Sequence, residues 1–250
     1  LASTESQGLG EKLLTQSLRA EGIEKFPAED ELHQAIWSKL LHFTGNKSRA
    51  ELLTDIGLGK RIAHIVAKRM VALLAEVGEK PNALLLTRER FTAHESIVQS
   101  GVTLDGSENA SVQYAHCCRP IPGDTIVGYL GRGEGLVVHI DDCVVAKKLQ
   151  NKDSERFINV EWADEPVRAF EAGILVTVSN GKGVLARVAA TLASAEVDII
   201  HIDMGKEAAE EATDLRFLIG VRDRTHLADA LRKLKRTPSV IRAKRTKNFQ

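Results

Sequence analysis

All three cysteines of this 250-residue chain fall between residues 117 and 143, and their spacing constrains the fold more than any other feature. The run His116-Cys117-Cys118-Arg119-Pro120-Ile121-Pro122-Gly123-Asp124 is answered downstream by His139-Ile140-Asp141-Asp142-Cys143. Between them lie two strand-like runs, Ile126 to Leu130 and Leu136 to Ile140, joined by the glycine-rich stretch Gly131 to Gly135. No helix pattern follows those glycines, so they read as a hairpin turn and not as a phosphate cradle. A hairpin returns His139 and Cys143 to the segment that carries the vicinal thiols. Thiolate and imidazole are the ligands zinc prefers, and four of them close a tetrahedral site. The spacing is neither that of a CxxC redox motif nor that of a standard finger. Free cysteines also serve as small buried hydrophobes. Two adjacent ones in a strand would point to opposite faces, however, so they cannot share one apolar core. Pro120 and Pro122 fix the backbone behind them. So small a unit has little core, and a bound metal would add folding free energy.

Three regions follow from the hydrophobic periodicity. Residues 1–90 read as a helical domain. Leu13, Leu14 and Leu18, then Leu32, Ile36 and Leu40, recur at helical spacing. Ser48-Arg49-Ala50-Glu51 fits a capping box, and the helix it opens should end near Gly57 and Gly59. Ile62, Ile65, Val66, Met70 and Leu73 make a further stripe, with Lys60, Arg61, Lys68 and Arg69 off that face. Residues 91–111, with Ser100-Gly101 and Asp105 to Asn109, read as a polar linker. Residues 112–165 read as a compact β-rich unit. Residues 171–250 alternate as strand, helix, strand, strand, helix, strand. The strand faces are Ile174, Val176 and Val178; Ile200, Ile202 and Met204; and Leu215, Phe217, Ile219 and Val221. The helical stripes are Val184, Leu185, Val188 and Leu192, then Leu227, Leu231 and Leu234 after a Thr225 cap. This βαββαβ order implies a ferredoxin-like sheet covered on one face by two helices. The other face and the edges stay open to a copy of itself or a neighbouring domain. The fold class is α+β.

Acidic and basic residues balance at 34 each, so no global pull on nucleic acid or membrane is expected and any such contact must be local. Arg232, Lys233, Lys235, Arg236, Arg242, Lys244, Arg245 and Lys247 crowd the C-terminal end. They are candidate phosphate contacts, and they would equally serve as a solvated helix face and a charged edge strand. No apolar run approaches bilayer length. The opening residues Leu1 to Ser6 do not read as a signal peptide, so cytoplasmic residence with reduced thiols is expected. The absence of an initial Met suggests a segment of something longer. Neither a Walker-type loop nor a His-Asp hydrolase dyad occurs. Cys117 beside His116 makes a poor nucleophile, because neighbouring side chains on an extended segment diverge.

Two segments together carry a family resemblance. They are Tyr114 to Asp124 with Gly135 to Cys143, and Val221-Arg222-Asp223-Arg224-Thr225-His226-Leu227 through Pro238-Ser239-Val240-Ile241. In this order they resemble the C-terminal regulatory half of long RelA/SpoT proteins, the enzymes that make and degrade (p)ppGpp. The resemblance implies a helical domain, a zinc-finger or conserved-cysteine (RIS) domain, and an ACT domain at 171–250. Arg222-Asp223-Arg224 and the basic last strand look closer to the SpoT-like bifunctional branch. The family's metal ligands map onto Cys117, Cys118, His139 and Cys143, with zinc the implied metal. His116 is a further candidate should only one vicinal thiol bind. The implied role is non-catalytic: a segment that controls GTP/GDP pyrophosphorylation against (p)ppGpp hydrolysis in the stringent response. It would act through ribosome and tRNA and through the parent's own N-terminal catalytic domains, which would need Mg and Mn. The alternative is an amino-acid-sensing ACT module that switches as a dimer. Many such ACT domains carry Asp-Arg-x-Gly after their first strand. Here that place reads Asn180-Gly181-Lys182-Gly183. The charge that would meet a ligand's ammonium group is missing, although helix amides after Gly183 remain available to a carboxylate.

Overall fold

The computed structural model describes residues 2–24, 26–27, 31–78, 102–108, 111–131, 135–204, 212–247 and 249. Residues 79–101, with most of the expected linker, lie outside them. Three units follow one another, as expected for an α+β chain. Among the described residues no helix is long and apolar enough to cross a membrane.

The first unit holds α1 (Ala2–Ala20), α2 (Glu31–Thr44), α3 (Arg49–Gly57) and α4 (Ala63–Glu76). Leu14, Leu18, Ile36, Leu40, Leu52, Leu53, Met70 and Leu73 form its core. Leu13 falls off that stripe and is 37% exposed. Ser48 caps α3 by accepting from the Glu51 amide, and the Glu51 carboxylate reaches the amide of Lys47 instead of that of Ser48. The α1 and α3 backbones nearly touch. A Cβ on Gly10 would sit 1.8 Å from the Leu53 carbonyl oxygen, and one on Gly57 equally close to that of Ser6. Only glycine permits that approach.

The middle unit is a five-stranded sheet. Its strands are β1 (Val102–Leu104), β2 (Val112–Tyr114), β3 (Ile126–Gly131), β4 (Gly135–Ile140) and β5 (Phe157–Trp162), in the order β1-β5-β3-β4-β2. The expected hairpin is present: β3 and β4 pair antiparallel from Ile126↔Ile140 to Gly131↔Gly135. Two expectations need correcting here. The linker assigned to 91–111 gives way to a strand at Val102, where β1 pairs in parallel with Val160–Trp162 and buries Leu104 completely. Three residues flanked by turn formers carry too short an alternation to register as a strand. The unit also contains a helix, α5 (Val144–Lys152), which buries only Ala146 and so lacks a legible apolar stripe. The helical unit seats on this sheet through Phe43 and Ile65, which join its core. Arg156, 1% exposed, donates to the carbonyls of His42 and Leu130, and Arg61 donates to that of Gly131.

The last unit is the expected βαββαβ sheet. It comprises β6 (Phe170–Ser179), α6 (Val184–Ser194), β7 (Asp198–Met204), β8 (Ala212–Val221), α7 (Arg224–Arg236) and β9 (Val240–Thr246). The strands run antiparallel in the order β7-β8-β6-β9, and both helices contribute to a core that includes Ile174, Val188, Leu192, Phe217, Leu227 and Leu234. Three local readings change. A β-bulge between Ile199 and His201 breaks the parity of β7. Ile199 and Ile202 therefore pack on the core, while Ile200 and Met204 are exposed. Leu185 also faces outward. The cap of α7 is Asp223 and not Thr225: its extended backbone lets the carboxylate accept from the His226 amide at 2.7 Å.

Candidate metal centre

After β2 the chain turns sharply. The amides of Cys118 and Arg119 both donate to the Ala115 carbonyl, and Arg119 takes a left-handed φ of 46° to close the turn. Because Cys117 and Cys118 lie in a turn and not a strand, their thiols converge where strand alternation would have separated them. The β3–β4 hairpin delivers His139, and the first residues after it deliver Cys143 at the N-cap of α5. The Cys117 sulfur lies 3.4 Å from His139 Nδ1 and 3.6 Å from the Cys143 sulfur. The Cys118 sulfur lies 3.7 Å from the same nitrogen. All four ligand atoms fall within 4.8 Å of one another. A zinc ion about 2.3 Å from sulfur and about 2.0–2.1 Å from nitrogen needs ligand atoms roughly 3.5–3.8 Å apart. The three cysteines are unbridged. His116, exposed on the surface, stands outside this group.

The surroundings suit metal ligation. Burial lowers the His139 pKa, which keeps the imidazole neutral and its Nδ1 lone pair available. Burial likewise raises the Cys117 and Cys118 thiols. The Ile140 amide, donating to the Cys118 sulfur at 3.3 Å, works against that rise. Burial also pushes the Cys143 thiol up, but the Ala146 and Val145 amides at the start of α5, together with the hydrogen bonds from Cys117 and Cys118, outweigh it and leave Cys143 below its ordinary range. Asp141 and Asp142 do not back the ligands. Both are exposed, and Asp142 accepts from Lys247.

The same turn docks the last unit. Ile121, fully buried, belongs to the core of the βαββαβ unit. The Asp124 carboxylate accepts both guanidinium nitrogens of Arg245, at 2.8 and 2.7 Å, and holds the Ile121 amide at 2.9 Å. Arg245 also donates to the Arg119 carbonyl, and the Arg224 amide donates to that of Pro122. Arg119 pairs with Glu171, and Trp162 donates its indole N–H to the Asp124 carbonyl.

The remaining predicted residues divide. Asn180, Gly181, Lys182 and Gly183 are all exposed at the β6–α6 turn. Asn180 accepts from the Thr213 hydroxyl, and Gly183 takes the left-handed φ of 74° that starts α6. Arg232 and Lys233 pair with Asp229 within their own helix, and Lys235, Arg236, Arg242 and Lys244 are exposed. Arg245 departs from that basic set. It is turned inward and committed to Asp124, so it is a docking residue and not a free phosphate contact. Sequence reasoning missed the Asp124–Arg245 clamp because its members lie 121 positions apart. It also missed Arg156, whose burial nothing local announces.

Residues 102–163 match the sequence profile of the RelA/SpoT RIS domain, and residues 166–245 match that of an ACT domain. The chain belongs to the RelA/SpoT family. It is 28% identical over 249 residues to the bifunctional (p)ppGpp synthase/hydrolase SpoT of Escherichia coli K12, covering 99% of this chain and 32% of that protein. It is 33% identical over 196 residues to the bifunctional (p)ppGpp synthase/hydrolase RelA of Mycobacterium tuberculosis H37Rv, covering 76% of this chain and 26% of that protein. Among solved structures, the ACT domain from a GTP pyrophosphokinase of Chlorobium tepidum is similar at 19% identity and a TM-score of 0.28, covering 31% of this chain and 99% of that one. The chain thus spans about a third of the length of the curated relatives it matches. Within that third it carries the RIS and ACT domains.

Proposed function

We propose that this segment is the control region of a cytoplasmic, SpoT-like (p)ppGpp synthetase/hydrolase, and that a structural zinc ion held by Cys117, Cys118, His139 and Cys143 keeps its domains in register. Bound there, zinc would supply a rigid tetrahedral crosslink and no reaction chemistry. The chain's own residues do the rest. The Ala115 to Arg119 turn fixes where Ile121 and Asp124 project, and these two set the position of the ACT domain through its core and through Arg245. On the opposite side Arg61 and Arg156 tie the helical unit to the same sheet. The RIS domain thereby relays displacement between the units on either side of it. The observation that carries this reading is continuity: the ligand turn and the ACT-docking turn are one stretch of chain, from Ala115 to Asp124.

The signal reaching the relay is ribosomal RNA with tRNA, and its output is the balance of synthesis against hydrolysis in the parent's Mg- and Mn-dependent catalytic half. Lys235, Arg236, Arg242 and Lys244 offer exposed positive charge for phosphate. Two measurements test the reading. Elemental analysis of the purified chain should find one zinc per chain, lost when Cys118 and His139 are both replaced; a fully folded chain without metal overturns the zinc assignment. In the full-length parent, D124A should change the ratio of the two activities when ribosomes are added. An unchanged ratio in a variant whose ACT domain has demonstrably loosened would remove the relay.

A further inference from the structure

A second site lies between the RIS and ACT sheets, beside the ligand turn. β2 is an edge strand of one sheet and β7 an edge strand of the other. Between them opens a cleft of about 460 Å³ whose lining includes Tyr114, His116, Arg119, Arg168, Phe170 and Ile200. That volume lies within the range of small-molecule sites, roughly 300–1,000 Å³. The chain has prepared it in three ways.

The first concerns Arg168. Its guanidinium sits in the corner between two perpendicular rings, 5.1 Å from the centre of Tyr114 and 5.2 Å from that of Phe170. Its stem packs against Gly106, where a Cβ would come within 2.9 Å of Arg168 Cγ. Yet it makes no hydrogen bond or ion pair among the described residues. The residue is exposed, so a guanidinium laid against two rings presents its donors to solvent, where a planar oxyanion can meet them.

The second is that the nearby acids are engaged. Glu171 pairs with Arg119. Glu108 accepts from the Asp105 and Gly106 amides and from the Tyr114 hydroxyl. Arg168 is left as the cation of the cleft without an ion-pair partner among the described residues. The third is the bulge in β7. It turns Ile200 out of the ACT core, 51% exposed, and makes it an apolar wall of the cleft.

We propose that this cleft binds a small organic anion, its carboxylate or phosphate head on the Arg168 guanidinium and its apolar body against Ile200. Such a ligand would touch both sheets and so bear on their relative position. The site shares no ligand residue with the thiol cluster, although His116, Arg119 and Pro120 of the ligand turn line it.

Phenyl phosphate and phenylacetate are the probes, with benzylamine as the cationic control of similar body, titrated into the isotope-labelled chain and followed by NMR. Either anion should shift the Arg168 Nε–H and the Ile200 methyl signals saturably, with a Kd of about 1 mM or tighter. Whichever anion binds more tightly identifies the head group, and either preference supports the site. R168M keeps the packing of the stem and should weaken binding at least tenfold, while the near-ultraviolet signal of the stacked Tyr114 and Trp162 stays in place. The proposal fails if neither anion saturates by about 10 mM, if benzylamine binds as well, or if R168M binds like the parent chain.

Discussion

The RIS domain meets its two neighbours by different chemistry. Toward the helical unit, buried arginines donate to main-chain carbonyls across the seam: Arg156 to His42 and Arg61 to Gly131, beside the apolar contacts of Phe43 and Ile65. Toward the ACT domain, side-chain ion pairs dominate: Arg245 with Asp124, Arg119 with Glu171, Lys247 with Asp142. A carbonyl cannot be titrated or exchanged by a side-chain substitution. A carboxylate can be protonated, screened or mutated away. The helical seam thus rests chiefly on contacts that conditions do not change, beside a His42–Asp153 approach at 3.8 Å, whereas the ACT seam depends on charges that conditions can change.

Removing the metal should separate the two seams most clearly. Chelation is expected to cost several kcal/mol of stability and to raise amide exchange across 115–124 and β9, with α2 and α4 little affected. Equal loosening on both sides would erase the contrast. Next in size is D124A, which leaves the Arg245 guanidinium half-buried without its carboxylate and should cost about 3–5 kcal/mol, read from the thermal unfolding of the ACT domain. R156M follows. It leaves the His42 and Leu130 carbonyls without these donors and should cost about 1–3 kcal/mol, read in the helical unit and not in the ACT domain. The smallest effect belongs to Asp142, whose pKa is held down first by the hydrogen bond from Lys247. A lowered carboxyl pKa contributes stability that is complete above the unfolded value, about 3.9, and that is lost as pH falls through the folded one. In K247A the Asp142 titration, followed by carboxyl NMR, should return to the ordinary range.

Much of this architecture could be read from the sequence, because it is written in local periodicity. The hairpin that returns His139 and Cys143 follows from two strand runs and a glycine turn. The βαββαβ order follows from six alternating stripes. What escaped was written elsewhere. The convergence of Cys117 and Cys118 depends on a turn closed by Arg119 in a left-handed conformation, against the expectation that neighbouring side chains diverge. One inserted residue in β7 shifted Ile200 from the core to the surface. Thr225 and Asp223 are both competent caps by type, and only the backbone angle at Asp223 decided between them. The clamp that seats the ACT domain joins residues near opposite ends of the RIS–ACT half, and no pattern in either stretch points to the other.

Ile121 precedes the stretch that matches the ACT profile by forty-five residues, yet its side chain is fully buried in a core whose other buried members are all ACT residues. The boundary drawn by homology therefore does not coincide with the boundary drawn by packing. An ACT domain excised at residue 166 would keep its strands and helices but carry an empty socket where its neighbour's isoleucine belongs. Autonomy, for this domain, is something the adjoining loop can grant or withdraw.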